Sequence, residues 1–90
     1  MSKKILIIED DSDIAAIERD YLEISGYEVE ICAKGSDGME KSLSGNFDLI
    51  ILDIMLPDMD GFEVCKNIRS KIDIPIMMLT ARKSDIDKIR

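Results

Sequence analysis

Ninety residues, 46% hydrophobic and 34% charged, describe one globular domain and rule out a disordered tail. Twelve basic against 19 acidic residues leave a net charge of −7, which argues against direct nucleic-acid binding through a basic face. There is no histidine, so a histidine-based triad and the usual zinc sites are disfavoured.

The charge is uneven. Residues 1–60 hold 5 basic and 15 acidic residues, net −10, while residues 61–90 hold 7 and 4, net +3. The longest apolar runs, residues 49–52 and 76–79, are too short to span a bilayer. The N-terminal apolar run stops at Glu9, which does not fit a secretory signal. Cys32 and Cys65 lie among apolar neighbours and read as small buried thiols in a reducing cytoplasm.

Residues 4–9 are apolar at nearly every position, as in a strand buried on both faces. Asp11 and Ser12 offer an N-cap. Ile14, Ile17, Tyr21 and Ile24, with Leu22 beside them, then form one stripe of an amphipathic helix. Gly26 ends that helix. Residues 27–31 alternate as a strand with one wetter face. Asp37 and Glu40 have capping-box spacing for a short second helix holding Met39 and Leu43, broken at Gly45 and Asn46.

Residues 47–53 form the most apolar strand, the expected centre of a sheet. Residues 56–61, with Pro57 and Gly61, are loop. Val64, Cys65, Ile68 and Phe62 suit a third helix ending near Ser70. Residues 75–80 read as a fourth strand, with Pro75 at its tolerated first position. A further helical pattern starts at Lys83, with Ile86 and Ile89 three apart.

This βαβαβαβ order implies parallel pairing, right-handed crossovers and a three-layer α/β sheet. Ligand sites in such sheets form beyond the carboxyl ends of the strands. Strand one ends in Glu9, Asp10 and Asp11, strand three in Asp53, and strand four in Thr80. Clustered carboxylates repel unless a cation lies between them, and Mg²⁺ suits such oxygen ligands. Asp11 and Asp13 are explained by the start of the next helix. Asp53 is not, because it follows four apolar residues and would be costly to bury alone.

These segments resemble the receiver domain of two-component response regulators. The resemblance rests on Ile7–Ile8–Glu9–Asp10–Asp11, on Asp53–Ile54–Met55–Leu56–Pro57–Asp58–Met59–Asp60–Gly61, and on Leu79–Thr80–Ala81. It covers the whole chain and about three quarters of the family's domain. It implies a flavodoxin-like, doubly wound parallel sheet of strand order 2-1-3-4, with the fifth strand and last helix missing. Residues 1–90 would be the N-terminal part of a single receiver domain.

The resemblance also implies roles. Asp53 would be the phosphoacceptor, taking a phosphoryl group from a sensor histidine kinase. Glu9, Asp10, Asp53 and the backbone carbonyl of Met55 would hold Mg²⁺ or Mn²⁺. Thr80 would bond the phosphoryl group as a switch, and Pro57 and Gly61 would shape the loop. Asp11 stays a helix cap. Lys83 is not given the role of the family's lysine, which belongs to the fifth strand.

The implied protein is a cytoplasmic signalling domain that assists its own phosphotransfer and dephosphorylation and is not an enzyme in the ordinary sense. Its parent would be a transcription regulator, of the winged-helix type, whose effector domain touches DNA. The fragment itself would contact neither nucleic acid nor membrane. The alternative is a phosphorylation-incompetent binding or dimerisation module. An open strand-four edge would invite a homodimer or segment exchange.

Three other chemistries fit poorly. A calcium loop with Gly61 at position six puts Leu56 and Asn67 where acids are needed. A metal-dependent nucleic-acid enzyme conflicts with the acidic charge and with Pro57. An aspartyl-phosphate phosphatase would want an acid at position 55, which is Met.

Overall fold

The computed structural model describes residues 3–79. Thr80, Lys83 and the helical pattern after Lys83 lie outside the described residues. The elements are β1 (Lys4–Ile8), α1 (Ser12–Ile24), β2 (Glu28–Cys32), α2 (Gly35–Ser44), β3 (Leu49–Asp53), α3 (Gly61–Arg69) and β4 (Ile76–Leu79). All paired strands are parallel, in the order β2-β1-β3-β4. The expected flavodoxin-like architecture is therefore present, with the two most apolar strands at the centre.

Both central strands are buried on both faces, and their side chains divide with period two. Leu6, Ile8, Ile50 and Leu52 meet Phe47 and, from α3, Val64 and Ile68. Ile5, Ile7 and Ile51 meet Ala15 of α1, with Leu22 and Val29 at the margin. Helices thus cover both faces of the sheet. Ile68 is 1% exposed, so shortening it leaves a small void. Ile68→Val should cost about 0.5–1.5 kcal/mol in a urea titration, with an unchanged denaturant slope.

The α1 stripe is a correction. Ile17, Tyr21 and Ile24 are 69%, 67% and 87% exposed, and the helix turns Ala15 and Leu22 inward instead. Alanine lets the helix axis lie close to the sheet, where a row of larger side chains would hold it away. The start of α1 follows expectation: the Asp11 carboxylate accepts from the N–H groups of Asp13 and Ile14 at 3.0 and 3.1 Å. Gly26 follows its end at φ +97°, a left-handed conformation that suits glycine.

The start of α2 is a second correction. It begins at Gly35, two residues before Asp37, and its N-cap Lys34 makes no side-chain cap bond. No Asp37–Glu40 capping box forms at this end, because Asp37 already lies in the first turn. Cys32 and Cys65 are free and half-buried against the larger core cluster. Burial pushes the Cys32 thiol up from its ordinary value.

Candidate functional site

The register of the sheet brings the acids together. Ile8 of β1 pairs with Leu52 of β3, so the next residues, Glu9 and Asp53, leave the sheet side by side. Carboxylate oxygens of Glu9, Asp10 and Asp53 all lie within 4.8 Å of one another. Glu9 and Asp53 are only 4% and 6% exposed, while Asp10 is exposed. Two segments 43 residues apart thus place three acids at one strand-end rim, as the sequence pattern predicts.

The electrostatics are those of excess negative charge. Burial, opposed by a bond from the Asp11 N–H at 3.1 Å and reinforced by the neighbouring Asp53 charge, pushes the Glu9 carboxyl up to about 8. Glu18, on the inner side of α1, is also pushed up, first by burial and then by Asp53. Its buried Oε1 has no hydrogen-bond partner among the described residues. Glu18 is not visible as part of the site in the sequence, because an acid within a helix looks like surface. It shares the inward face of α1 with Ala15 and Leu22, a face that only the packing reveals.

The β3–α3 loop is tightly built. The Asp53 carboxylate accepts from the Met55 N–H at 3.1 Å, which folds the loop back over the strand end. The Gly61 N–H donates to the Ile54 carbonyl at 3.0 Å, and Met55 and Asp60 form an antiparallel bridge. A Cβ at Gly61 would stand 2.6 Å from Ile54 Cα and 2.7 Å from the Asp53 carbonyl oxygen, so this closure needs glycine. Asp60 then caps α3 by accepting from the Phe62 N–H at 2.8 Å. Pro57 lies at the exposed turn of this loop.

Of the predicted residues, Glu9, Asp10, Asp53, Met55, Pro57 and Gly61 fall in one neighbourhood. Thr80 follows Leu79, the register partner of Asp53, and lies outside the described residues. The acid set fits a hard divalent cation. Three carboxylates meet, two of them are buried, and among the described residues none forms an ion pair with Lys or Arg. The basic residues near the sheet serve elsewhere: Lys4 and Lys41 pair with Glu30 at 3.5 and 3.0 Å.

Comparison with known proteins agrees with this geometry. The model of the response regulator receiver domain family matches residues 5–90. The chain is 43% identical over 90 residues to the alkaline phosphatase synthesis transcriptional regulatory protein PhoP of Bacillus subtilis, covering 99% of this chain and 38% of PhoP. It is 43% identical over 86 residues to the response regulator ArlR of Staphylococcus saprophyticus, covering 96% of this chain and 39% of ArlR. The chain therefore spans under two fifths of the curated relatives it matches.

Among solved structures, the response regulator TrrA of Thermotoga maritima in complex with Mg²⁺–BeF superposes with a TM-score of 0.85 at 36% identity. That match covers 97% of this chain and 76% of the TrrA chain. A chain from the complex of histidine kinase ThkA with TrrA matches with a TM-score of 0.83 at 40% identity, covering 88% of this chain and 69% of that one. No helix among the described residues is long and apolar enough to cross a membrane. The strand order, the acidic rim and these matches agree, and the chain belongs to the response regulator receiver domain family of two-component signalling.

Proposed function

We propose that residues 1–90 are the N-terminal part of a single receiver domain and that Asp53 accepts a phosphoryl group from a sensor histidine kinase. The observation that carries this reading is the buried Asp53 standing with Glu9 and Asp10 within 4.8 Å. Glu9, Asp10, Asp53 and the Met55 backbone carbonyl would hold Mg²⁺ or Mn²⁺. When bound, the ion offsets the negative charge of the phosphoryl oxygens.

The chain's own residues do the rest. A carboxylate oxygen of Asp53 attacks the phosphorus of a phosphohistidine. The O–P bond forms as the P–N bond breaks, and the electron pair stays on the imidazole nitrogen of the kinase. Water later hydrolyses the acyl phosphate, returning the carboxylate and free phosphate. The Met55 N–H holds one Asp53 oxygen, which orients the carboxylate. Thr80 would bond the new phosphoryl group and report it to a DNA-binding effector domain in a longer, cytoplasmic regulator.

The test is an intact-mass measurement after incubation with Mg²⁺ and a small phosphodonor. The wild type should gain one phosphoryl group and Asp53→Asn none. Gain by neither would favour the alternative of a module that only binds, and equal gain by both would remove Asp53 as the acceptor.

β4 bonds to a single neighbour, β3, among the described residues, and its Met77 and Leu79 are 49% and 39% exposed. This favours pairing or segment exchange with a second copy along that flank. Light scattering of the 90-residue chain at high concentration should show dimers or larger species. A clean monomer would contradict this.

A further inference from the structure

The first N–H groups of a helix need acceptors from outside the helix. In α2 the preceding residue, Lys34, supplies none. The acceptor comes instead from Asp58, in the middle of the β3–α3 loop. Its Oδ1 accepts from the Gly35 N–H at 2.8 Å and its Oδ2 from the Ser36 N–H at 3.1 Å. One carboxylate thus forks across the start of a helix more than 20 residues earlier in the chain. These bonds hold the Asp58 carboxyl below its ordinary range, and its charge faces the positive end of the helix.

The approach is close because Gly35 has no side chain. A Cβ there would stand 2.9 Å from Val64 Cγ2 and 3.3 Å from both Leu56 Cδ1 and Met59 Cβ. The other end of the contact is equally tight. A Cβ at Gly38, one turn into α2, would overlap Ile8, the residue before Glu9. α2 therefore leans on the end of β1 through Gly38 and clasps the loop after β3 through Asp58. Those two segments supply the two halves of the acid cluster, Glu9 and Asp10 on one side and Asp53 on the other.

We propose that Asp58 is a positioning residue: by pinning the β3–α3 loop to α2, it sets the Met55 carbonyl against the carboxylates of Glu9, Asp10 and Asp53. This rests on the reading of that cluster as a cation site. Asp58 is exposed and touches none of the three acids. Its effect travels through the loop backbone, which the Ile54–Gly61 bond and the Met55–Asp60 bridge close at its ends and which Leu56 and Met59 seat on the core.

The experiment is an Mg²⁺ titration of the ¹⁵N-labelled 90-residue chain, followed by the amide signals of Asp10, Asp53 and Met55. It is run on the wild type, Asp58→Ala and Asp58→Asn, with melting temperatures measured alongside. Asp58→Ala should bind Mg²⁺ roughly tenfold more weakly, the scale seen when outer supports of metal sites are removed. Its metal-free Met55 amide should also shift. Asp58→Asn keeps an acceptor oxygen and should recover part of the affinity.

A helix cap with no link to the site predicts a lower melting temperature for Asp58→Ala with unchanged Mg²⁺ affinity and an unmoved Met55 amide. That result would overturn the proposal and leave the cation site standing. If Asp58→Ala does not fold, Asp58→Asn decides: weaker Mg²⁺ binding supports the proposal, and wild-type binding overturns it. Absence of saturable Mg²⁺ binding in the wild type would remove the cation reading itself, and this proposal with it.

Discussion

Asp53→Asn should leave a protein that cannot be phosphorylated and that is more stable than the wild type in the absence of metal. The loss follows because a neutral amide is no nucleophile toward phosphorus. The gain follows from the charge at the rim. Asp53 is buried beside Glu9 and adds to the pressure that pushes Glu9 up to about 8. Asparagine keeps an oxygen to accept from the Met55 N–H, so the loop contact survives. Removing the charge should add about 1–2 kcal/mol, the usual return from relieving a strained functional site. Urea titration without Mg²⁺ measures it. Added Mg²⁺ should then stabilise the wild type more than the variant, narrowing or reversing the difference.

The second large effect is a dependence of metal-free stability on pH. Glu9 has an ordinary value of 4.5 and is pushed up to about 8 in the folded chain. Between those values the folded protein holds a proton that the unfolded chain has lost. Stability is therefore full below about pH 4.5 and drains away as pH rises toward 8, by an amount on the order of 3–4 kcal/mol. Glu18, shifted upward by burial and by Asp53, adds to the same slope.

Glu30 and Asp58 are shifted downward and act in the opposite sense. They cost stability only as pH falls below their ordinary values of 4.5 and 3.8, outside the window in question. Denaturation midpoints measured from pH 5 to pH 8 without metal should fall steadily. Saturating Mg²⁺ should flatten the curve, and Asp53→Asn should flatten it in part. A wild-type midpoint that stays level from pH 5 to 8 would contradict the account of Glu9.

Much of this was legible in the residue pattern. β1 and β3 stand out because they are apolar on both faces, which a half-exposed element cannot tolerate. Asp53 stands out for the same reason, as a charge at the end of a run that must be buried. Features set by distant partners were less visible. The inward face of α1 is chosen by how closely the helix can approach the sheet, so Ala15 and Leu22 prevail over a bulkier row. The start of α2 is set by Asp58, more than 20 residues later, and no local capping rule could reveal it. The strain on Glu18 arises only when α1 packs near Asp53.

On the proposed reading, the ends of β1 and β3 form one cation-dependent phosphoacceptor site. Peptide mapping of the wild type after exposure to a small acyl phosphate, with Mg²⁺ and with a chelator, tests it most directly. The expected product is an acyl phosphate confined to the peptide containing Asp53, present with Mg²⁺ and lost with the chelator. Modification elsewhere, or modification at Asp53 that ignores the chelator, would contradict it.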